Sequence, residues 1–392
     1  MQSYRYLIVG GGMTADAAVR GIREVDASGS IGLFSAEADA PYSRPPLSKK
    51  LWTGRPLKKI WLGTEAHGVS MHLGRSIVSL DPAAKRVRDD QGNEYGYEKL
   101  LLATGGSPNR LPFGGEEIIY LRTVQDYKRL RALSDAHDRF LVIGAGFIGA
   151  EIAAALAMQG KNVTMVFPGA AIGDAIYPAD VSAFLNGVYR AKGVTLVSND
   201  TVVGLEKVEN GLKVHTKGGK TIEVDGVVAG IGIHPNTDLA KSAGLKVENG
   251  IVVDQRLRTT AADIFAAGDV AQFPHPALGT MARVEHEDNA LKMGQQAGRI
   301  MAGANEVYAH TPYFYSDLFE YGFEAVGQLS SKAEIVADWQ EKFKTGVVYY
   351  LSAGRVRGVL LWNVWGQTEA GAALIAQSGP FKAEDLIGRI KG

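Results

Sequence analysis

The stretch Tyr4-Arg5-Tyr6-Leu7-Ile8-Val9-Gly10-Gly11-Gly12-Met13-Thr14-Ala15 decides the fold. Its apolar half reads as a short buried strand. Its glycines read as a tight turn that opens a helix over about residues 12–25. The turn has the form G-x-G-x-x-A, with Gly10, Gly12 and Ala15 in the three slots. The first slot makes the turn tight, the second lets a pyrophosphate approach the backbone, and the third lets the helix pack close to the strand. The helix start then offers unpaired N–H groups and a positive dipole end to phosphate.

One such turn is a common feature of strand ends, but this chain carries a second. Phe140-Leu141-Val142-Ile143 runs into Gly144-Ala145-Gly146-Phe147-Ile148-Gly149, followed by a helix expected over residues 150–159. This is a full G-x-G-x-x-G between a strand and a helix, the context the motif requires. In such units an acid some 20 residues past the glycines binds the adenosine ribose. After the first turn, the strand Ile31-Gly32-Leu33-Phe34-Ser35 is followed closely by Glu37. After the second, Val163-Thr164-Met165-Val166-Phe167 ends in Pro168-Gly169 with no acid, and Asp174 is the nearest charge. No basic residue follows to hold a 2′-phosphate. Two nucleotide units in one chain suit bringing a flavin and a nicotinamide together for hydride transfer.

Composition narrows the chemistry. At ~150 residues per domain, 392 residues suggest two or three domains. Lys and Arg balance Asp and Glu at 42 each, so no global field draws the chain to nucleic acid or anionic lipid. No apolar run reaches the ~18 residues of a membrane span. Met1-Gln2-Ser3 leads almost directly into the first strand, so a cytoplasmic protein without a signal peptide is expected. There is no cysteine, which excludes disulfides, thiolate metal sites and a redox-active thiol pair. Electron chemistry here must come from a bound cofactor.

Between the two units, Pro41-Tyr42-Ser43-Arg44-Pro45-Pro46-Leu47-Ser48-Lys49-Lys50 opens a segment with six basic and no acidic residues before Thr64: Arg44, Lys49, Lys50, Arg55, Lys58 and Lys59. Either this is a solvated basic loop, or Arg44 and Lys49 turn inward to a cofactor while the others face an acidic partner. Residues 70–103 read as a small meander ending in Leu100-Leu101-Leu102-Ala103, and a helix is expected over about 124–136. Hairpin signals stand at Asn210-Gly211 and Gly218-Gly219. A strand over 264–267 delivers Gly268-Asp269, and a helix follows over roughly 285–301. After Met301 lie 14 of the 33 aromatic residues, which marks a separate C-terminal region. Strands near 335–338, 347–351 and 356–361 and a helix near 368–376 suggest an antiparallel sheet there.

The whole length resembles the FAD-dependent, pyridine-nucleotide-linked ferredoxin reductases of oxygenase systems, and within that group apoptosis-inducing factor even more. The resemblance rests on residues 10–15, Pro41-Tyr42-Ser43-Arg44-Pro45-Pro46-Leu47-Ser48-Lys49, Ala103-Thr104-Gly105-Gly106, Leu121-Arg122, residues 144–151, Ala267-Gly268-Asp269, Arg283-Val284-Glu285-His286 and Val359-Leu360-Leu361-Trp362-Asn363. It implies an α/β fold with two Rossmann-like dinucleotide-binding domains, for FAD and NAD, of the glutathione-reductase type, plus a C-terminal α+β domain. The expected division is 1–110 and 235–311 for FAD, 111–234 for NAD(P)H and 312–392 for the C-terminal domain.

The resemblance further implies site residues. Gly10, Gly12 and Ala15 meet the FAD pyrophosphate, and Glu37 lies near the adenosine ribose. Arg44, Lys49, Ile77, Arg122, Asp269, Glu285, His286 and Tyr315 are the other flavin contacts. Gly144, Gly146, Gly149, Glu151, Gly232 and Glu324 serve the nicotinamide nucleotide. Lys49 and Glu151 form the catalytic ion pair beside the flavin; alternatively, Glu151 is an ordinary acid complementing the helix N-terminus. Three departures stand out: Gly169 replaces the ribose-binding glutamate, Asp174 falls where apoptosis-inducing factor has lysine, and Ala36 replaces the acid usual before Glu37. NADH versus NADPH stays open, with a slight lean to NADH. The implied reaction takes hydride from NAD(P)H onto FAD and passes electrons to a small acidic iron–sulfur protein docking on the basic 44–59 region. An oxidase or small-molecule reductase, a slow redox-sensing interaction protein, and a homodimer stay open alternatives.

Overall fold

In the computed structural model, which describes residues 1–391, the chain divides into two compact units. The first comprises Met1–Arg44, Lys58–Ser107 and His234–Tyr313; the second comprises Pro45–Leu57, Pro108–Ile233 and Phe314–Gly392. The inward-turning segment Pro45–Leu57 therefore packs with the second unit.

The first unit is built on a parallel sheet. Strand Gln2–Val9 lies between Ile31–Ser35 and Glu94–Leu102, parallel to both. Val69–Leu73 extends the sheet on one side and Ile264–Ala266 on the other. The strands read as near-continuous apolar runs because both faces are covered; Leu7, Ile8, Leu33, Leu100 and Leu101 are fully buried. Residues 70–73 thus belong to this sheet rather than to the expected meander, which is confined to the antiparallel strands Ile77–Asp81, Arg86–Asp89 and the first part of Glu94–Leu102. Strand order reverses on either side of Gln2–Val9, the topological position where such sheets bind ligands past their carboxyl ends.

Two helices cover one face with their backbones nearly in contact. Helix Met13–Val25 runs in the same direction as helix Glu287–Met301, with Thr14 beside Gly294 and Ala18 beside Gly298. A Cβ at Gly298 would overlap the Ala18 carbonyl, one at Gly294 that of Thr14, and one at Gly21 that of Gln295. Only glycine permits this approach, which locks the helix behind the first glycine turn to the helix that starts at Glu287.

The second unit repeats the plan. Thr195–Val197, Asn162–Val166, Arg139–Ile143, Gly226–Ala229 and Ile118–Ile119 form a parallel sheet in that order. Helix Phe147–Met158 follows the second glycine turn, and antiparallel strands Val202–Val208, Gly211–Thr216 and Thr221–Val224 meet at the two turns read from the sequence. The aromatic C-terminal region is a five-stranded sheet in the order Tyr313–Leu318, Tyr321–Gly327, Arg355–Trp362, Thr345–Ser352, Glu334–Glu341. Its core stacks Phe323 on Trp362, with ring centroids 6.2 Å apart. The chain is α/β with two dinucleotide units and a C-terminal α+β part.

Because the Gly298 contact is with backbone and no rotamer relieves it, Gly298→Ala is expected to cost about 1–3 kcal/mol. Urea unfolding of the purified variant against wild type checks this; an unchanged midpoint would contradict it.

Candidate functional site

The first glycine turn is closed at two positions and open at the third. Gly10 has φ +134°, and a Cβ there would overlap the Ala103 carbonyl; one at Gly11 would overlap the Ser35 hydroxyl. A Cβ at Gly12 would meet only the Arg44 guanidinium, at 3.8 Å. Ala15 is fully buried under the helix. Gly12 caps helix Met13–Val25 without a side-chain hydrogen bond, so its leading N–H groups are left to a ligand. Bare backbone donors beneath a guanidinium are the donor set a pyrophosphate requires.

Arg44 is held over this opening by an ion pair with Glu37, and the Tyr42 hydroxyl donates to the other Glu37 oxygen at 2.6 Å. Each Glu37 oxygen thus has one partner and keeps acceptor capacity for a ribose hydroxyl. At the next strand end, Gly268 at φ +76° turns the chain under Thr14 and delivers Asp269, whose carbonyl accepts from Arg283 at 3.1 Å. Arg283 also pairs with Glu285 at 2.7 Å. The following helix starts at Glu287, two residues later than expected, with His286 as its N-cap. Burial pushes the His286 pKa down to about 4, against the upward pull of Asp269 and Asp288. Ile77 begins an antiparallel strand of the same unit. Arg122 belongs to the other unit, where its backbone N–H donates to Asp126 just before helix Val124–Ala136.

The second glycine turn has the same anatomy. A Cβ at Gly144, φ +99°, would overlap the Gly230 carbonyl, and one at Gly149 the Gly144 carbonyl, whereas a Cβ at Gly146 would meet nothing within 4 Å. Gly146 caps helix Phe147–Met158, again without a side-chain bond. A small apolar cleft of about 10 Å³ opens beside it, lined by Phe147, Ile172, Gly173 and Tyr177 among others. Gly232 has φ +87°, and its carbonyl accepts from the Asn109 N–H at 3.0 Å. The Glu324 carboxylate accepts from Gly366 N–H at 2.8 Å.

Glu151 lies one full turn into this helix, 3% exposed, and so is not a solvated acid at the helix start. Lys49 Nζ pairs with its Oε1 at 2.7 Å. The Ser316 hydroxyl donates to the same oxygen and the Ser48 hydroxyl to Oε2, each at 2.6 Å. Burying a carboxylate is tolerable only with such full compensation. The Tyr315 ring centroid lies 5.1 Å from Lys49 Nζ. The prolines explain why Lys49 points inward. Pro45–Leu47 forms a 3₁₀ turn whose carbonyls accept from the Ser48 and Lys49 N–H groups. Trp52 pins the segment by donating to the Leu47 carbonyl at 2.8 Å. The exposed residues of the basic run are Lys50, Arg55, Lys58 and Lys59. Ser48 and Ser316 carried no role in the sequence reading. Ser48 stands beside Lys49 in the motif, which was its only signal; Ser316, 165 residues from Glu151, gave none.

Two dinucleotide sites, each with an open middle glycine, and a chain devoid of thiols define an FAD- and NAD(P)H-dependent oxidoreductase. Residues 4–294 match the pyridine nucleotide-disulphide oxidoreductase family, and the chain belongs to it. It is 32% identical to mitochondrial apoptosis-inducing factor 1 of Dictyostelium discoideum over 96% of this chain and 79% of that one. It is 33% identical to the ferredoxin–NAD(+) reductase component of the anthranilate 1,2-dioxygenase system of Burkholderia cepacia over 83% of this chain and 82% of that one. Among solved structures, the covalent putidaredoxin reductase–putidaredoxin complex matches with a TM-score of 0.91 at 29% identity, covering 98% of this chain and 95% of that one. The disulphide chemistry in the family's name has no cysteine to run on here. No helix among the described residues is long and apolar enough to cross a membrane.

Two outcomes are expected. Lys49→Met leaves the Glu151 carboxylate buried with hydroxyl partners alone and is expected to cost about 3–5 kcal/mol; adding Glu151→Gln, which removes the charge and keeps an acceptor, recovers most of that in denaturant unfolding. The second concerns His286, whose folded-state pKa lies below the ordinary 6.5. Its neutral form stabilises the flavin-free fold above about pH 6.5, and this contribution is lost as pH falls toward 4. Acid unfolding followed by circular dichroism should therefore be shallower over that range in His286→Gln.

Proposed function

We propose that this protein oxidises NAD(P)H and passes the electrons, one at a time, to a small iron–sulfur protein. The carrying observation is the doubled glycine turn in a chain without cysteine: electrons entering from a dinucleotide leave through the flavin, because no thiol relay exists. Bound FAD would supply the chemistry of taking a hydride from NAD(P)H and releasing its two electrons singly, with the proton going to solvent.

In this reading Gly10, Gly12 and Ala15 receive the FAD pyrophosphate under Arg44, and Glu37 takes the adenosine ribose. Ile77 and Asp269 complete its polar and backbone contacts. The N-terminus of helix Glu287–Met301, with Glu285 and His286 before it, directs its positive end to charge gathering on the ring. Gly144, Gly146 and Gly149 receive the nicotinamide dinucleotide, with Gly232 and Glu324 lining its path. Lys49, oriented by Glu151 and flanked by Tyr315, carries the ammonium of the catalytic pair; Glu151 acts through Lys49. Positioning and electrostatics do the work, so no separate acid–base pair is called for.

The acceptor follows from charge. Lys50, Arg55, Lys58 and Lys59 are exposed within ten residues of one another, with no acid among them, and suit an acidic carrier docking briefly. Similarity to the dioxygenase reductase component and to the putidaredoxin reductase complex supports the same class of acceptor. Neutralising the four cations is expected to slow reduction of an acidic [2Fe–2S] protein about tenfold or more at low salt and to flatten its salt dependence. NADH oxidation with a small uncharged dye should be unchanged. If carrier reduction keeps its wild-type rate, the docking surface lies elsewhere.

A further inference from the structure

In the second unit, the strand that normally ends in the ribose-binding acid, Asn162–Val166, continues through Phe167 and Pro168 to Gly169, which has no side chain to offer. The space beside Gly169 is nevertheless filled by a carboxylate. Both oxygens of Asp174 lie within 2.8 Å of the point where a Cβ at Gly169 would stand. An aspartate at position 169 would hold its own oxygens about 2.4 Å from that Cβ by covalent geometry alone. Asp174 therefore returns to the strand end the group that the strand itself lacks.

The return is built into the loop. Asp174 Oδ2 accepts from the Ala170 N–H at 2.8 Å, leaving Oδ1 with its acceptor capacity. The Asn186 side chain accepts from the Ile172 N–H at 3.0 Å. The Gly173 N–H donates to the Ala145 carbonyl at 3.1 Å. That last bond ties the residue before Asp174 to the middle of the glycine turn, so the loop and the pyrophosphate site share one frame. Asp174 is exposed to solvent, as a ligand group must be. Between Phe167 and Tyr189 the chain has no Lys or Arg to receive a 2′-phosphate.

We propose that Asp174 is the specificity residue of the second site: it accepts from the free 2′-hydroxyl of the adenosine ribose, repels a 2′-phosphate, and makes NADH the preferred donor. This rests on the dinucleotide reading of the second unit given above. The two adenosine ribose acids of the protein then differ in origin. Glu37 follows closely on its strand, whereas Asp174 comes from a loop folded back five residues later.

The test is calorimetric titration of the purified flavin-containing protein with ADP-ribose and with its 2′-phosphate. Wild type is expected to bind ADP-ribose at least about tenfold more tightly, the scale of one hydrogen bond to a charged group. Asp174→Ala should weaken ADP-ribose by about tenfold or more and erase the preference. Asp174→Asn keeps an oxygen for the Ala170 N–H, so it should retain the wild-type melting temperature yet lose most of the discrimination. Wild-type affinities for both ligands in both variants, or a wild-type preference for the 2′-phosphate, would overturn the assignment. Parallel anaerobic mixing with NADH separates the two readings. Flavin bleaching without any ADP-ribose binding overturns the role of Asp174 and leaves the oxidoreductase standing. The expected binding pattern without bleaching upholds Asp174 and removes the oxidoreductase.

Discussion

The structure depends on a backbone made to touch backbone at the end of a strand. In both units the first glycine of the turn is wedged against the carbonyl of a neighbouring strand end, Ala103 for Gly10 and Gly230 for Gly144. That wedge sets the direction in which the following helix departs. It also leaves the second glycine as the helix cap with no side chain to satisfy the leading N–H groups. A turn so constrained has one natural guest, an anion that lies flat against bare backbone. The protein makes this arrangement twice and then supports each copy differently. The first is braced by a glycine-lined helix pair, the second by the loop that returns Gly173 to Ala145.

With no cysteine available, the proposed reaction leaves control of the electron path to fixed charge. The Lys49–Glu151 pair sits in a nearly dry setting where neither charge would be stable alone, and the two serine hydroxyls complete the carboxylate's shell. Such a shell fixes the ammonium's position more firmly than an exposed ion pair does, because every alternative position leaves the buried carboxylate's charge without a cation. The prolines and Trp52 deliver Lys49 to this place from a segment that otherwise reads as a solvated basic loop.

The parts legible in the sequence are those where chemistry forces residue type. Both glycine turns, the apolar parallel strands and the hairpins at Asn210-Gly211 and Gly218-Gly219 follow from local rules and stand where they were expected. Strands Tyr313–Leu318 and Tyr321–Gly327 were not legible, because their aromatic and acidic residues show no simple alternation, and the second is buried by helix Thr368–Ile375 and a distant strand. Val69–Leu73 was not legible as a strand of its own for a similar reason: its pairing with Ile31–Ser35 is set by topology, not by its own pattern. At the site, Lys49 and Glu151 were named through their motif neighbours, but the hydroxyl of Ser316 reaches Glu151 across 165 residues. Asp174 was visible as a charge, yet only the folded loop reveals that it stands in for the missing side chain at Gly169.

The central claim is that electrons pass through a bound flavin with no thiol participating. An anaerobic titration of the purified yellow protein with NADH tests this most directly, through the amount of donor needed to bleach the flavin. The account predicts full bleaching by a single equivalent, with nothing further consumed. A flavin indifferent to NADH, or one that bleaches only after a second equivalent has been absorbed elsewhere in the protein, would contradict it.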